Sequence, residues 1–76
     1  MVFDRITINP QQMTGVPCIR GMRIPVATVV HMVADSMSFD EILSYYPMLE
    51  REDLRQALHY AAEALIQREI PVATHP

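Results

Sequence analysis

Cysteine appears once in these 76 residues, glycine twice and lysine not at all; the six basic residues are all arginines. The lone Cys18 excludes an internal disulfide and a cysteine-rich zinc site. There is no glycine-rich phosphate loop, no nucleophile elbow and no pair of catalytic acids. His31, His59 and His75 are scattered, and none has a second histidine or a cysteine at ligand spacing, so neither a metal nor a cofactor is expected. Cys18 has no nearby histidine in sequence and reads as a buried thiol, not a nucleophile. Catalysis has no support, and the chain is read as non-enzymatic. No stretch approaches the ~20 apolar residues of a membrane span. The opening Met1-Val2-Phe3-Asp4-Arg5 lacks the basic and apolar regions of a secretory signal. The expected location is the cytoplasm, with no membrane partner.

A chain of this length makes one domain. It buries only about 60–65% of its unfolded surface, and such a core seldom supplies more than about 3–5 kcal/mol. With no disulfide or metal to add stability, a homodimer or larger assembly is expected. The net charge of −3 argues against strong non-specific nucleic-acid binding by the whole surface. The charge is unevenly spread, however: residues 1–26 carry a net +2 and residues 27–76 a net −5. The basic end coincides with the most informative stretch, residues 17–26, Pro-Cys-Ile-Arg-Gly-Met-Arg-Ile-Pro-Val. It joins an extended segment, a bend at Gly21 and a helix start, with Arg20 and Arg23 beside the bend.

Alternation and β-branched residues predict short strands at about 5–8 and 16–19. Asn9-Pro10 stops the first, and Pro17 makes the second an edge strand or its starting point. Two short strands are marginal alone, so they form either an N-terminal hairpin or dimerising strands. Gly21 reads as a bend from which a side chain is excluded. Pro25 suits the first helical position and opens a helix over about 25–35, with Val26, Val29, Val30 and Val33 on one face. Ser38-Phe39-Asp40-Glu41 is a capping box that opens a second helix over about 39–46, ended by Pro47. A third helix over about 50–69 begins with Glu50, Glu52 and Asp53 at the positive end of its dipole. It buries Leu54, Ala57, Leu58, Ala61 and Leu65. The domain is thus residues 1–66, mainly α, with a tail at 67–76.

The second and third helices and their short turn have the order of a helix-turn-helix DNA reader. Arg51 and Arg55, one turn apart at the start of the third helix, suit phosphate or guanine contact. The alternative is that they are solvated partners of Glu52 and other helix neighbours. Three acids on the same end oppose a phosphate backbone. Arg20 and Arg23 sit on a constrained turn, where arginine's fork suits phosphate or carboxylate. Either they contact nucleic acid, or one of them pairs with a helix acid and locks the motif to the domain.

Beyond that physical reading, several stretches resemble the bacterial "domain of unknown function 433" family. They are Ile8-Asn9-Pro10, Gly15-Val16-Pro17-Cys18-Ile19-Arg20-Gly21-Met22-Arg23-Ile24-Pro25-Val26, Ser38-Phe39-Asp40-Glu41-Ile42-Leu43, Tyr46-Pro47, Leu49, Glu52-Asp53-Leu54 and Ala57-Leu58-His59-Tyr60-Ala61. Met22 stands where the family usually has threonine, and Ser36-Met37 where it usually has glycine between the first two helices. The resemblance implies a homeodomain-like or winged helical fold with a short N-terminal β element. It further implies the antitoxin of a type II toxin–antitoxin pair. Such an antitoxin binds operator DNA as a dimer to repress its own operon and neutralises a PIN-like ribonuclease toxin. On that scheme Arg20, Arg23, Arg51 and Arg55 are the DNA-binding candidates, and Ile70, Pro71 and Val72 in the tail bind the partner. The alternative is a protein–protein interaction and oligomerisation module without DNA contact.

Overall fold

The computed structural model describes residues 2–67. Two short strands, β1 (Ile6–Thr7) and β2 (Cys18–Ile19), are followed by α1 (Val26–Ala34), α2 (Phe39–Tyr45) and α3 (Arg51–Ile66). The strands pair antiparallel with each other, Ile6 opposite Ile19 and Thr7 opposite Cys18. Of the two readings of the strands, this is the hairpin. The protein is mainly helical, with a two-stranded sheet at its N-terminal end.

Residues 17–26 form a second, tighter hairpin on the far side of β2. The Ile19 N–H donates to the Ile24 carbonyl at 3.0 Å and the Val26 N–H to the Pro17 carbonyl at 2.9 Å, while Cys18 and Pro25 face each other in a bridge. β2 therefore begins just after Pro17 and is flanked on both sides, so it is not an edge. At the tip, the Met22 N–H closes a turn on the Ile19 carbonyl at 2.8 Å. Arg20 and Gly21 occupy its central positions with φ of +43° and +72°, the pattern of a type I′ turn. A Cβ on Gly21 would meet nothing within 4 Å. Gly21 is needed for its positive φ and not, as the sequence suggests, for lack of space.

Pro25 also sits one position earlier than expected. Its φ of −64° would suit a helix, but its ψ of 148° is extended, because its bridge to Cys18 holds it in the hairpin. It is the residue before α1, and its carbonyl accepts the Thr28 N–H at 3.0 Å. α1 ends in a Schellman motif: the Met37 N–H reaches the Met32 carbonyl and the Ser36 N–H the Val33 carbonyl, both at 3.0 Å. Ser36 holds the left-handed position at φ +69°, a place that usually takes glycine. The capping box of α2 is present in both directions, Glu41 N–H to Ser38 Oγ at 3.1 Å and Ser38 N–H to Glu41 Oε1 at 2.9 Å. After Pro47 stops α2, the Leu49 N–H closes a turn on the Tyr46 carbonyl.

Ile19, Val26, Val29, Ile42, Leu49, Leu54 and Ala57 form one buried cluster drawn from β2, all three helices and the α2–α3 turn. The free thiol of Cys18 is buried beside it. The stripe expected on α3 holds for Leu54 and Ala57 but not for Leu65, which is 56% exposed. The last turns of α3 face Val16, Ala27 and Val30 across an open groove, so nothing among the described residues closes over Leu65.

Candidate functional site

The tip of the second hairpin sends Arg20 into the start of α3, where Asp53 is fully buried. The guanidinium grips the carboxylate side-on: Nε donates to Oδ1 at 3.0 Å and Nη2 to Oδ2 at 2.9 Å. Nη2 also donates to the Met48 carbonyl in the α2–α3 turn at 2.8 Å. From β1, Arg5 Nη1 donates to Asp53 Oδ1 at 3.1 Å and to Glu50 Oε1 at 2.5 Å. The Glu50 backbone N–H completes the set at 2.8 Å from Oδ2. Both Asp53 oxygens thus accept two hydrogen bonds, which saturates a carboxylate.

The electrostatics follow from this geometry. Burial pushes the Asp53 carboxyl upward, but Arg20, the Glu50 N–H and Arg5 outweigh it and hold it below the usual carboxylate range. The hydrogen bonds to Asp53 raise Arg20 above an ordinary guanidinium. Those to Glu50 and then Asp53 do the same for Arg5. A buried charge persists only when paired and hydrogen-bonded, and no buried side-chain polar atom among the described residues lacks a partner. Gln56 adds a second clamp. Its Oε1 accepts the Arg5 N–H at 3.2 Å, and its Nε2 donates to Asp4 at 2.7 Å and to Glu52 at 3.0 Å. Phe3 packs edge-on against Tyr60, ring centres 5.3 Å apart. The N-terminal strand is therefore tied along α3 by ionic, polar and aromatic contacts.

The candidate DNA-binding arginines divide. Arg20 is committed to Asp53, the locking arrangement described above. Arg51 pairs with Asp40 of α2 and lies over the Phe39 ring, 5.6 Å from its centre. Arg55 grips Glu52 with two bonds of 2.8 and 2.7 Å. That contact, followed by the one from Gln56, holds the Glu52 carboxyl at about 2. Arg23 is exposed and makes no hydrogen bond or ion pair among the described residues. Ile70, Pro71 and Val72 lie outside the described residues. Sequence reasoning missed Arg5 and Gln56; it read Asp53 as an acid favouring the helix dipole and opposing phosphate, and offered a helix acid as partner of Arg20 or Arg23 without saying which. Their partners are 33 to 52 residues away in the chain, so no local spacing announces them.

A second feature lies farther along α3, toward its C-terminal end. A groove of about 420 Å³ runs between α1 and the end of α3, lined by Val16, Val26, Val30, Tyr60, Ala64 and Leu65, with His31 at its side. Among the described residues there is no group of three histidine, cysteine, aspartate or glutamate side chains placed to hold a metal. No described helix is long and apolar enough to cross a membrane.

Comparison with known proteins agrees with this architecture. A crystal structure at 2.00 Å of a DUF433 member protein from Anabaena variabilis ATCC 29413 superposes with a TM-score of 0.77 at 38% identity. The match covers 84% of this chain and 63% of that one. The uncharacterized protein y4eO of Sinorhizobium fredii (strain NBRC 101917 / NGR234) is 38% identical over 56 residues, 74% of this chain. The chain spans a quarter of the length of that relative. The family model described as "Protein of unknown function (DUF433)" matches residues 6–61, the stretch that holds both hairpins, the Arg20–Asp53 pair and most of α3. The chain therefore belongs to the DUF433 family.

Proposed function

We propose that this domain is a non-enzymatic, cytoplasmic protein-binding module, the antitoxin of a toxin–antitoxin pair, whose α1–α3 groove receives an apolar segment of a PIN-like ribonuclease toxin. The observation that carries this reading is the groove itself, an apolar trough about 420 Å³ in volume on a domain whose buried core is small. Pockets of this size with mostly apolar walls are where proteins take up ligand and partner groups. The charge arrangement supports the same choice. Arg5, Arg20, Arg51 and Arg55 all end on carboxylates, which among the described residues leaves only Arg23 to meet phosphate. Co-expression with the product of the neighbouring gene tests the reading. The wild-type chain is expected to co-purify with it, and Ala64→Arg or Leu65→Arg to abolish co-purification while helicity is retained. Failure of the wild-type chain to retain that product would remove the antitoxin role.

A second role, repression of its own operon as a dimer on operator DNA, draws support from the order α2–turn–α3 and from Arg23, which is exposed at the hairpin tip. On that role Arg23 is the leading contact, and Arg51 and Arg55 must first exchange Asp40 and Glu52 for phosphate. Binding measured across a salt series on the upstream DNA and on random DNA decides it. Equal affinities for the two would eliminate the repressor role.

A further inference from the structure

We propose that two copies of this chain pair through the face formed by the hairpin tip and the outer side of α2, with Arg23 of each copy set against Glu41 of the other. The tip and the end of α2 stand side by side, because Arg20 Nη2 donates to the Met48 carbonyl at 2.8 Å, just past Tyr45 and Tyr46. Arg23 is exposed on that tip, which the Ile19–Ile24 hydrogen bond holds in a tight hairpin. Met48 and Tyr45 come next, 51% and 75% exposed. One helical turn before Tyr45 stands Glu41, and the two line a hollow of about 310 Å³ with Met32, Met37 and Tyr46. From the tip toward the start of α2 the surface is therefore positive, then apolar, then negative.

Both charges are available. Arg23 has no ionic partner among the described residues, whereas Arg5, Arg20, Arg51 and Arg55 all hold carboxylates. Glu41 spends Oε1 on the Ser38 N–H, and its other oxygen has no partner among the described residues. Asp40, the neighbouring acid of α2, is already paired with Arg51. A two-fold axis through the apolar middle brings Arg23 to Glu41 twice, so the face is its own complement. Tyrosine, methionine and arginine are residue types enriched at such contacts. The apolar centre is small against the ~800 Å² per partner of a standard interface, so a reversible dimer is expected, with Kd on the order of 100 μM. The α1–α3 groove shares no lining residue with this face, and pairing leaves the groove open to a partner. Arg23 cannot hold Glu41 and an operator phosphate at once, so this dimer competes with DNA contact through that residue.

Sedimentation equilibrium of the full chain, free of partner and DNA, tests this over a concentration series reaching about 1 mM. A monomer–dimer equilibrium that weakens as salt is raised is expected. Tyr45→Ala and Arg23→Glu, both at exposed positions, should each raise Kd at least about tenfold with helicity unchanged. Glu41→Arg should do the same. Arg23→Glu combined with Glu41→Arg should restore association, because the two-fold then pairs the reversed charges. A wild-type chain that stays monomeric throughout the series would overturn the proposal. So would a dimer indifferent to Tyr45→Ala and Arg23→Glu, or a double reversal that keeps its helicity and fails to recover association. None of these readouts involves a toxin, so this idea and the antitoxin reading fail separately.

Discussion

Asp53 is the residue on which the N-terminal third of the molecule depends. It receives one arginine from β1, a second from the hairpin tip and the N–H of Glu50. Asp53→Asn keeps the shape but loses the charge and turns an acceptor into a donor facing two guanidinium groups. Breaking a buried pair by changing one partner costs 3–5 kcal/mol in full burial. Arg5 and Arg20 keep 28% and 37% side-chain exposure and rehydrate in part, so a loss of about 2–4 kcal/mol is expected. For a domain of this size that consumes most of the stability, and the urea midpoint of the variant measures it. Arg20→Ala should cost less, because Asp53 retains Arg5 and the Glu50 N–H.

The same residue sets a pH dependence. The native Asp53 pKa lies below the unfolded value of about 4, so in the fold the carboxylate binds its proton less readily than in the open chain. Its contribution is fully present above about pH 4 and is lost as pH falls through the native value. Glu52, held at about 2, acts in the same direction over the window between the usual carboxylate value and about 2. Unfolding midpoints measured from pH 6 down to pH 2 should fall steeply for the wild type and less steeply for Asp53→Asn. Parallel curves would show that Asp53 is not the origin of the slope.

At the scale of elements, the joints between helices carry testable strain and capping. Ser36 takes a left-handed conformation at the end of α1, which costs a side-chain-bearing residue about 1–2 kcal/mol. Ser36→Gly removes that cost and adds chain entropy to the unfolded state, leaving an expected gain of about 0.5–1 kcal/mol in thermal or urea unfolding. Ser38→Ala removes the hydroxyl that accepts the Glu41 N–H and should cost about 1 kcal/mol. Ser-Phe-Asp-Glu announces its capping box by local chemistry, whereas Ser36 is marked only by the resemblance to a family that carries glycine there, which left a left-handed residue at that place open until the backbone showed it. Pro25 was misplaced by one position for an equally physical reason. Its fixed φ suits a helix start and extended chain alike, and the choice of ψ was made by the bridge to Cys18, a tertiary contact.

At the scale of the whole molecule, one core cluster joins β2 to three helices, and the groove lies where α3 runs past that core. Leu54 and Leu65 occupy the same periodic stripe of α3, yet the first is fully buried and the second 56% exposed. Leu54→Ala should cost about 2–5 kcal/mol, enough to unfold much of the population. Leu65→Ala should change stability by less than about 0.5 kcal/mol and act instead on binding in the groove. Circular dichroism melts of the two variants separate these expectations, and equal losses would mean that Leu65 is covered in the free protein.

That contrast marks the division between sequence and structure. Local chemistry determined the three helices, the stop of the second at Pro47, the turn at Arg20-Gly21, the capping box and the membership of Val26, Val29, Leu54 and Ala57 in a core, because propensity, periodicity and capping act over a few residues. The third helix ends at Ile66, short of the expected 69. Tertiary structure alone decided that Arg20 turns inward to Asp53, 33 residues on, while Arg23, three residues away, stays in solvent. It alone decided that Arg5 joins the same carboxylate and that Leu65 borders an open groove. Ion pairing and burial depend on which segments meet across the fold, and nothing in the spacing of one chain segment encodes the position of another.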